Sequence, residues 1–537
     1  MWLNKAVVFY AYRASARVRI DRRKTVKQQP GSSAAMEKKE EADVFVETAE
    51  TEYVHVPGPG EAGAEEPEGG DDDYLSEEED ELEDDAAVVL DDHTDSVYCV
   101  AISELAASSV LVVTGGGDDV TMLYALTPSA EDEMNTMSPG TSAPALGSSG
   151  EGGGPAAPVV TKIARWSFES LFEIGGFSES ISCVAIDSCS SLVAAGALNG
   201  NLFVYRVAEK EQVGTAENTS ASIEWVRWHP RGPALIAGSE DGMVYMWMVT
   251  KQGRGHLEAS HIFVGHNAPV TVGDFTPDGH KIVTASQDGS LILWDPKSGA
   301  KLAKVEFPFK KVDLDDEEDE DDEDDEDDED DEDARDAMDE GDDSQIQSGV
   351  DDEQTEKESS RDGILCMALH QSLALCGAGD GQLHLVSLET SRLVASMDHA
   401  ELRSLDDCSV ESVLIGGTPL IAISGATDGS IVAWDVGMGG GASGGAVRYQ
   451  LADAHEGCIT KLAWLENQLS FASCGVDGRI KVWAASNGAL LLDIKAHNQP
   501  ILGMDAHVHA QLKRALVVSV SDDCTARVFD LSSMIQV

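Results

Sequence analysis

The sequence predicts an all-β fold, an eight-bladed propeller that spans residues 86–537. Three observations support this. A short motif occurs eight times, five of the seven intervals between copies measure 42 to 49 residues, and alternating apolar residues follow each copy. A period of ~40–45 residues is typical of four-stranded propeller blades. The two longer intervals, of 81 and 92 residues, indicate insertions within the array.

The motif is a tight turn of the form small-x-Asp-Gly, then alternating apolar residues, then an aromatic residue. Clear copies are ASQDGSLILWD (285–295), SGATDGSIVAWD (424–435) and SCGVDGRIKVW (473–483). The anchoring residues are Asp118, Asn199, Asp241, Asp288, Asp380, Asp428, Asp477 and Asp523. Each is expected to cap the turn between the second and third strands of its blade.

Other positions complete the pattern of a WD repeat. A histidine precedes the first strand in four copies, 22 to 26 residues before its Asp: His93, His266, His455 and His497. Candidate partners are the second-strand hydroxyls of Thr114, Thr284 and Ser519 and the third-strand indoles of Trp247, Trp294, Trp434 and Trp483. Because buried polar groups are costly when unpaired, we interpret these His–Asp pairs as structural and not as acid–base machinery.

The chain before the propeller has two parts. Residues 1–35 hold eight Lys/Arg and one acid, and residues 40–85 are acidic, so we expect region 1–85 to be disordered. The basic part has the composition of an organelle transit peptide. The alternative is that the basic part is an extension of the gene model upstream of a second start codon at Met36. We favour this alternative.

Two segments interrupt the repeats. A Ser/Gly-rich linker is predicted at 128–158 and an acidic insertion at 313–360, within which 313–343 has 25 acids in 31 positions. Neither has enough apolar residues to fold alone. In a propeller the second-to-third-strand turns and the loops between blades share one face, called the top face here. The repeat order predicts the linker on the bottom face and the acidic insertion on the top face.

Closing the ring requires one more strand. The last repeat ends at its third strand, Thr525–Phe529, whereas the first repeat is preceded by an apolar stretch, Ala86–Leu90. An open ring would leave two blade edges unpaired. We therefore predict that Ala86–Leu90 forms the outer strand of the last blade.

The net charge of the chain limits the kinds of molecule that it can bind. The chain has 98 Asp+Glu against 37 Lys+Arg, a formal net charge of −61. This disfavours nucleic acid and anionic lipid and favours basic proteins. No run of 18 apolar residues indicates a membrane span. Nine scattered cysteines fit reduced thiols, so we expect the protein in the cytoplasm or the nucleus. We also expect it to be a monomer.

The predicted binding surface is an acidic rim on the top face. Its acids precede first strands or lie in the turns, and Trp225 is an exposed aromatic in this interpretation, packed on a Lys or Arg stem. The candidate residues are Asp95, Asp119, Glu179, Glu224, Trp225, Glu240 and Glu456. The competing interpretation of each acid is an ordinary solvated surface residue.

One stretch is more specific than a generic WD repeat. SIEWVRWHPRGPALIAGSEDGMVYMW (222–247) resembles the third blade of the angio-associated migratory cell protein family, and TDSVYCVAI (94–102) with VTGGGDDVTMLYAL (113–126) resembles its first blade. The resemblance covers 86–537 apart from the insertions. It implies an eight-bladed propeller, which agrees with the repeat count.

The resemblance also implies a function. The family includes a yeast chaperone that holds the basic N-terminal segment of one large-subunit ribosomal protein on an acidic propeller face, whereas animal members are described in cell migration and signalling. The expected partner is therefore a newly made large-subunit ribosomal protein. Alternatives are a scaffold or adaptor in signalling or ubiquitin-ligase complexes, and a binder of histone tails. The linker, the long acidic insertion and the basic N-terminus depart from the family pattern.

Nothing in the sequence indicates an enzyme. Gly377–Gly381 resembles a phosphate-binding loop, but it is a turn of the repeat and no Lys or helix follows it. His507 and His509 lack a partner at metal-ligand spacing. We expect no catalytic residues, no cofactor and no metal.

Overall fold

The computed structural model describes residues 85–129, 166–216, 221–249, 255–308, 363–403, 408–436, 445–465 and 468–532. The predictions for the N-terminal region to residue 84 and for nearly all of both insertions lie outside these residues. The described part is almost all strand and forms eight four-stranded antiparallel sheets. The predicted eight-bladed propeller is confirmed.

Four strands, labelled a to d in order, build each blade. Blade 1 contains β2 (Val97–Ala106), β3 (Ser109–Gly116), β4 (Thr121–Pro128) and β5 (Trp166–Ile174). Blade 2 contains β6 (Ile181–Ile186), β7 (Leu192–Ala197), β8 (Leu202–Arg206) and β9 (Glu211–Ala216). Blade 3 contains β10 (Ile223–Trp228), β11 (Ala234–Ser239), β12 (Met243–Met248) and β13 (Ala259–Val264). Blade 4 contains β14 (Val272–Phe275), β15 (Ile282–Ala285), β16 (Ser290–Trp294) and β17 (Lys301–Glu306).

The second half repeats this plan. Blade 5 contains β18 (Ile364–His370), β19 (Leu373–Ala378), β20 (Gln382–Ser387) and β21 (Arg392–Asp398), and a short 3₁₀ turn, Glu401–Arg403, follows it. Blade 6 contains β22 (Val410–Gly416), β23 (Ile421–Ala426), β24 (Ile431–Asp435) and β25 (Ala446–Leu451). Blade 7 contains β26 (Ile459–Trp464), β27 (Ser470–Gly475), β28 (Arg479–Ala484) and β29 (Leu490–Lys495). Blade 8 contains β30 (Ile501–His509), β31 (Arg514–Ser521) and β32 (Ala526–Asp530), with β1 (Val88–Leu90) as its outer strand.

The a strands form the inner wall of the ring. Each contacts the a strand of the next blade, and β30 of blade 8 contacts β2 of blade 1. In seven blades strand a has a register shift near its start, for example between Ile223 and Trp225 and between Ile459 and Lys461. A bulge of this kind re-aims the side chains beside it.

Strand β1 closes the ring. It pairs with β32 in the register Val88↔Val528 and Leu90↔Ala526, and the Ala87 N–H bonds the Val528 carbonyl at 2.8 Å. Leu90 is 1% exposed and packs in one cluster with residues of blades 1 and 8. The predicted pairing is therefore confirmed, although the strand itself covers only Val88–Leu90.

The order of the strands shows which strands each insertion connects. The 128–158 linker falls between β4 and β5, strands c and d of blade 1. The 313–360 insertion falls between β17, strand d of blade 4, and β18, strand a of blade 5. Among the described residues, none of the helices is long and apolar enough to cross a membrane.

Candidate functional site on the top face

The turns of the top face are held by a buried polar network in four blades. In each, histidine Nδ1 contacts an Asp carboxylate at 2.8 to 3.3 Å, and Nε2 contacts a second-strand hydroxyl at 2.7 to 2.8 Å. The sets are His93–Asp118–Thr114, His266–Asp288–Thr284, His455–Asp477–Ser473 and His497–Asp523–Ser519. A Trp Nε1–H donates to the same hydroxyl in blades 4 and 7, from Trp294 and Trp483.

This network keeps the Asp side chains ionised. Burial alone would raise the pKa of Asp523, but the hydrogen bonds from His497 and Thr525 lower it to about 2. The same balance, with histidine as the main donor, lowers the pKa of Asp118, Asp288 and Asp477. Burial lowers the pKa of His497, against the pull of Asp523. Neutral imidazole and ionised carboxylate are the forms that fit a structural hydrogen bond.

Blade 6 has a histidine that sequence reasoning missed. His399 lies 2.8 Å from Ser424 Oγ and 2.7 Å from Ser430 Oγ, and the Trp434 Nε1–H donates to Ser424 at 3.2 Å. His399 precedes Asp428 by 29 residues, beyond the 22 to 26 of the other blades. The position of His399 just after strand d of blade 5 could have identified it. Its longer separation from Asp428 kept it from matching the pattern of the other four histidines.

Asp241 and Asp380 cap their turns by accepting backbone N–H groups. Asp241 accepts the Met243 N–H at 2.9 Å and the Tyr245 hydroxyl at 3.0 Å, while Trp247 is buried and stacks on Tyr245. Asp380 accepts the Gln382 N–H at 3.0 Å. The turns of these two blades therefore have the same Asp cap as the others.

Above the turns, carboxylates converge in pairs. Ser222, immediately before strand β10, bonds Glu240 Oε2 at 2.8 Å and Glu224 Oε1 at 3.2 Å. Glu224 belongs to the first strand and Glu240 to the second-to-third-strand turn. The structure therefore brings together two predicted rim acids around a single hydroxyl.

The same arrangement joins blades 8 and 1. The Ser96 hydroxyl contacts both Asp95 and Asp522. Burial, followed by the charges of Asp95 and Asp522, raises the pKa of the nearby Cys524 thiol. The smaller, electrostatic part of that shift comes from the carboxylates that surround the thiol. The sequence analysis missed Asp522, although it precedes Asp523 as Glu240 precedes Asp241.

Other rim acids lie in separate blades. Glu179 is half-buried before β6, and Glu456 is exposed before β26, where its N–H donates to Asp477. Asp119 has a φ of 65°, in the turn position where most blades have glycine. Glu411 of blade 6 was not predicted, and it accepts a hydrogen bond from Ser409 at 2.7 Å.

The prediction for Trp225 is wrong. Its side chain is 5% exposed, its Nε1–H donates to the Val270 carbonyl at 2.9 Å, and its ring lies against Gly238 and Gly273. The bulge after Ile223 turns the ring away from the top face and into the interface with blade 4. Trp225 is a packing residue and is not available to a partner.

The first strands of the blades carry charged side chains of both signs. Arg227, three residues beyond Glu224, lies 3.8 Å from Asp274 of blade 4, and both line a cavity of about 320 Å³. Burial raises the pKa of Asp274 and of Asp505 and lowers that of Lys461. The inner wall formed by the first strands is therefore mixed in charge at these positions.

Known structures share this fold. Saccharomyces cerevisiae Sqt1 superposes with a TM-score of 0.59 at 17% identity, covering 83% of this chain and 99% of Sqt1. Sqt1 of Chaetomium thermophilum, solved bound to the N-terminus of the ribosomal protein L10, superposes with a TM-score of 0.57 at 20% identity over 83% of this chain and 100% of its own. At these identities the likeness shows the fold alone.

Sequence comparison finds WD repeats in this chain and proteins that are similar to it. The WD domain, G-beta repeat family matches residues 210–248, 257–295, 448–484 and 488–530. Human angio-associated migratory cell protein is 26% identical and the dog protein 27% identical, each over 448 residues, 81% of this chain and 78% of the relative. A Mycosarcoma maydis pre-rRNA-processing protein, IPI3, is 23% identical over 30% of each chain. With eight blades, the WD network and these matches, the chain is a WD-repeat propeller that is similar to the angio-associated migratory cell proteins.

Proposed function

We propose that this protein is a chaperone or assembly factor that binds a basic segment of a newly made large-subunit ribosomal protein on its top face. It acts by binding and not by catalysis, in the cytoplasm and nucleus, where ribosomal proteins are made and assembled. The contact surface is the acidic rim: Asp95, Asp119, Glu179, Glu224, Glu240 and Glu456, with Asp522 and Glu411 added from the structure.

The observation that carries the proposal is the pairing of carboxylates. Glu224 with Glu240, and Asp95 with Asp522, are held against one serine hydroxyl each. A cation placed near such a pair is attracted by both carboxylates. A Lys or Arg side chain supplies that cation together with directed N–H donors.

The structural neighbours support the choice of client. An Sqt1 structure holds the N-terminus of the ribosomal protein L10, and a weaker relative is a pre-rRNA-processing protein. The net charge of −61 adds long-range attraction for any basic client.

The test measures binding of an Arg/Lys-rich N-terminal peptide of a large-subunit ribosomal protein. The double variant Glu224→Lys, Glu240→Lys should weaken binding by at least about tenfold, since it places two cations where the peptide's own would lie. Binding by the wild-type protein should fall steeply as salt rises.

The matched control reverses the charge of two exposed acidic residues that lie outside the rim. It is the double variant Glu258→Lys, Glu389→Lys. It makes the same change in net charge, so its binding should stay within about threefold of wild type. Equal weakening by both double variants would show that net charge alone attracts the peptide, and would refute the rim as the site.

A second candidate is a scaffold in signalling or ubiquitin-ligase complexes. It is favoured by apolar side chains exposed on outer strands: Ile262, Val264, Leu302, Val394, Leu490 and Leu491. Affinity purification from translating cells separates the two functions. One dominant large-subunit ribosomal protein supports the chaperone, whereas stable large complexes without it support the scaffold.

A further inference from the structure

A cavity of about 320 Å³ lies against the first strands of blades 3, 4 and 5. Its lining includes the ends of these strands and, in blades 3 and 4, the loops that follow them, at Pro230 and Pro277. It is therefore at the other end of the first strands from the acidic rim. Ligand pockets measure about 300–1,000 Å³, so this cavity suits a small ligand, of the size of a single amino acid.

The cavity contains an ion pair whose hydrogen-bonding capacity is only partly used. Arg227 and Asp274 have side chains that are 42% and 44% exposed, and the Nε–Oδ2 distance of 3.8 Å is too long for a hydrogen bond. Arg227 Nη1 donates to the Val226 carbonyl at 2.9 Å, and Asp274 Oδ1 accepts the Phe275 N–H at 2.7 Å. Among the described residues, Arg227 Nη2 and Asp274 Oδ2 have no hydrogen-bond partner. Each side chain can therefore make a further bond to a ligand.

The propeller fold itself does not require charges at these positions. Arg227 pairs with Ile236 and Asp274 with Val283, which are equivalent positions in the register of blades 3 and 4. Blade 8 has a third acid there, Asp505. The other five blades have small or apolar residues at the equivalent position: Ala101, Ala185, Ala368, Leu414 and Ala463. The side-by-side pair of opposite charges is therefore a local feature of blades 3 and 4.

The rest of the cavity wall is largely apolar. Val272 of blade 4 and Met367 and Leu369 of blade 5 line it, and all three are only partly buried. Covering such surface with an apolar group is favourable. Burial raises the pKa of Asp274 although Arg227 lowers it, so a second cation beside this carboxylate would stabilise its ionised form.

We propose that this cavity binds a free α-amino acid with an apolar side chain, of the type of leucine, methionine or phenylalanine. The α-carboxylate accepts hydrogen bonds from Arg227, the α-ammonium group donates to Asp274, and the side chain covers Met367 and Leu369. A zwitterion carries its two charges on either side of one carbon atom, so it matches an open ion pair of zero net charge. A peptide C-terminus or N-terminus has only one of these charges and matches half of the pair.

The site is separate from the acidic rim, and it does not depend on the proposed client. A bound amino acid would contact blades 3, 4 and 5 together. Because it binds only the folded ring, saturating amino acid should also raise the melting temperature of the protein.

The experiment titrates the full-length protein with L-leucine, L-methionine and L-phenylalanine, using isothermal titration calorimetry. N-acetyl-L-leucine, which lacks the ammonium group, and L-leucinamide, which lacks the carboxylate, are the matched ligands. At least one of the three amino acids should bind at one molecule per chain, and leucine should bind at least about tenfold more tightly than either derivative.

Three results would overturn the assignment. If none of the three amino acids binds, the cavity is not an amino-acid site. If N-acetyl-L-leucine binds as tightly as leucine, the cavity recognises peptide C-termini. If L-leucinamide binds as tightly as leucine, it recognises N-termini or amines. All three results come from wild-type protein, so they do not depend on the folding of a variant.

Variants then test the two side chains. Arg227→Gln and Asp274→Asn should each weaken amino-acid binding by at least about tenfold. The matched controls are Arg231→Gln and Asp278→Asn, which change exposed residues four positions further along and outside the cavity lining. The controls should stay within about twofold of wild type, since exposed charges at a distance are screened. Test variants that bind as tightly as the controls would show that the ion pair does not hold the ligand.

Discussion

At the scale of the residue, stability depends on buried polar groups that satisfy one another. Thr284 is completely buried and serves two partners, His266 Nε2 at 2.8 Å and Trp294 Nε1 at 2.9 Å. A hydroxyl in this position cannot be replaced by a methyl group without leaving two buried polar groups unpaired. Each such group costs about 1–3 kcal/mol.

The first prediction follows from this pairing. Thr284→Val keeps the side-chain shape and removes the hydroxyl, so the free energy of unfolding should fall by about 2–4 kcal/mol. Chemical denaturation measures the change. The exposed Thr390→Val serves as the control, and a Thr284 variant no less stable than that control would contradict the assigned role of the network.

A second prediction concerns acid. The folded-state pKa of Asp523 is about 2, below its ordinary 3.8. Its ionised form therefore contributes stability that is fully present above about pH 4 and is lost as the pH falls towards 2, roughly 2 kcal/mol in all.

Asp523→Asn tests this contribution. The stability difference between wild type and the variant should be constant from pH 5 to 7 and shrink below pH 4, measured by denaturation at each pH. The exposed Asp453→Asn should show no comparable trend. A difference for Asp523→Asn that does not change with pH would show that the carboxylate charge contributes nothing.

At the scale of the element, the three-residue strand β1 has an effect out of proportion to its length. It pairs the last blade to residues that begin the propeller, and Leu90 joins the cluster formed with blades 1 and 8. Without it, β32 would present an unpaired edge, and the ring would be held at this position only by contacts between strands of blades 8 and 1.

Deleting residues 86–90 should therefore lower the melting temperature of the whole propeller, whereas deleting 1–70 should not. Thermal unfolding followed by circular dichroism measures both. Equal melting temperatures for the two truncations would refute closure by this strand.

A point substitution tests the same strand with a smaller change than the deletion. Leu90→Ala should cost about 2–5 kcal/mol, because it empties a fully buried position. Val89→Ala lies on the half-buried side of the same strand and should cost clearly less. Comparable losses at both positions would mean that Leu90 contributes no more packing than its neighbour.

At the scale of the whole molecule, a long acidic insertion connects two blades of the ring that carries the proposed acidic rim. The 313–360 insertion joins strand d of blade 4 to strand a of blade 5. Charges near a binding site accelerate encounter with an oppositely charged partner more than they stabilise the complex.

Removing residues 313–360 should therefore slow association of a basic peptide by about tenfold at low salt and leave its dissociation rate nearly unchanged. Stopped-flow binding at two salt concentrations separates the rates. A faster dissociation with unchanged association would show instead that the insertion contacts the bound peptide.

The sequence by itself determined the blade number, the closing strand and the four His–Asp pairs, because each depends on local spacing repeated along the chain. Only the tertiary structure decided which way side chains point at the bulges, so Trp225 was predicted as exposed and lies buried between blades. It also decided which acids meet, as Asp95 and Asp522 do across 427 positions of sequence. It placed Arg227 and Asp274 of neighbouring blades against one cavity. These features arise when distant strands are packed side by side, and no periodicity along the chain records that packing.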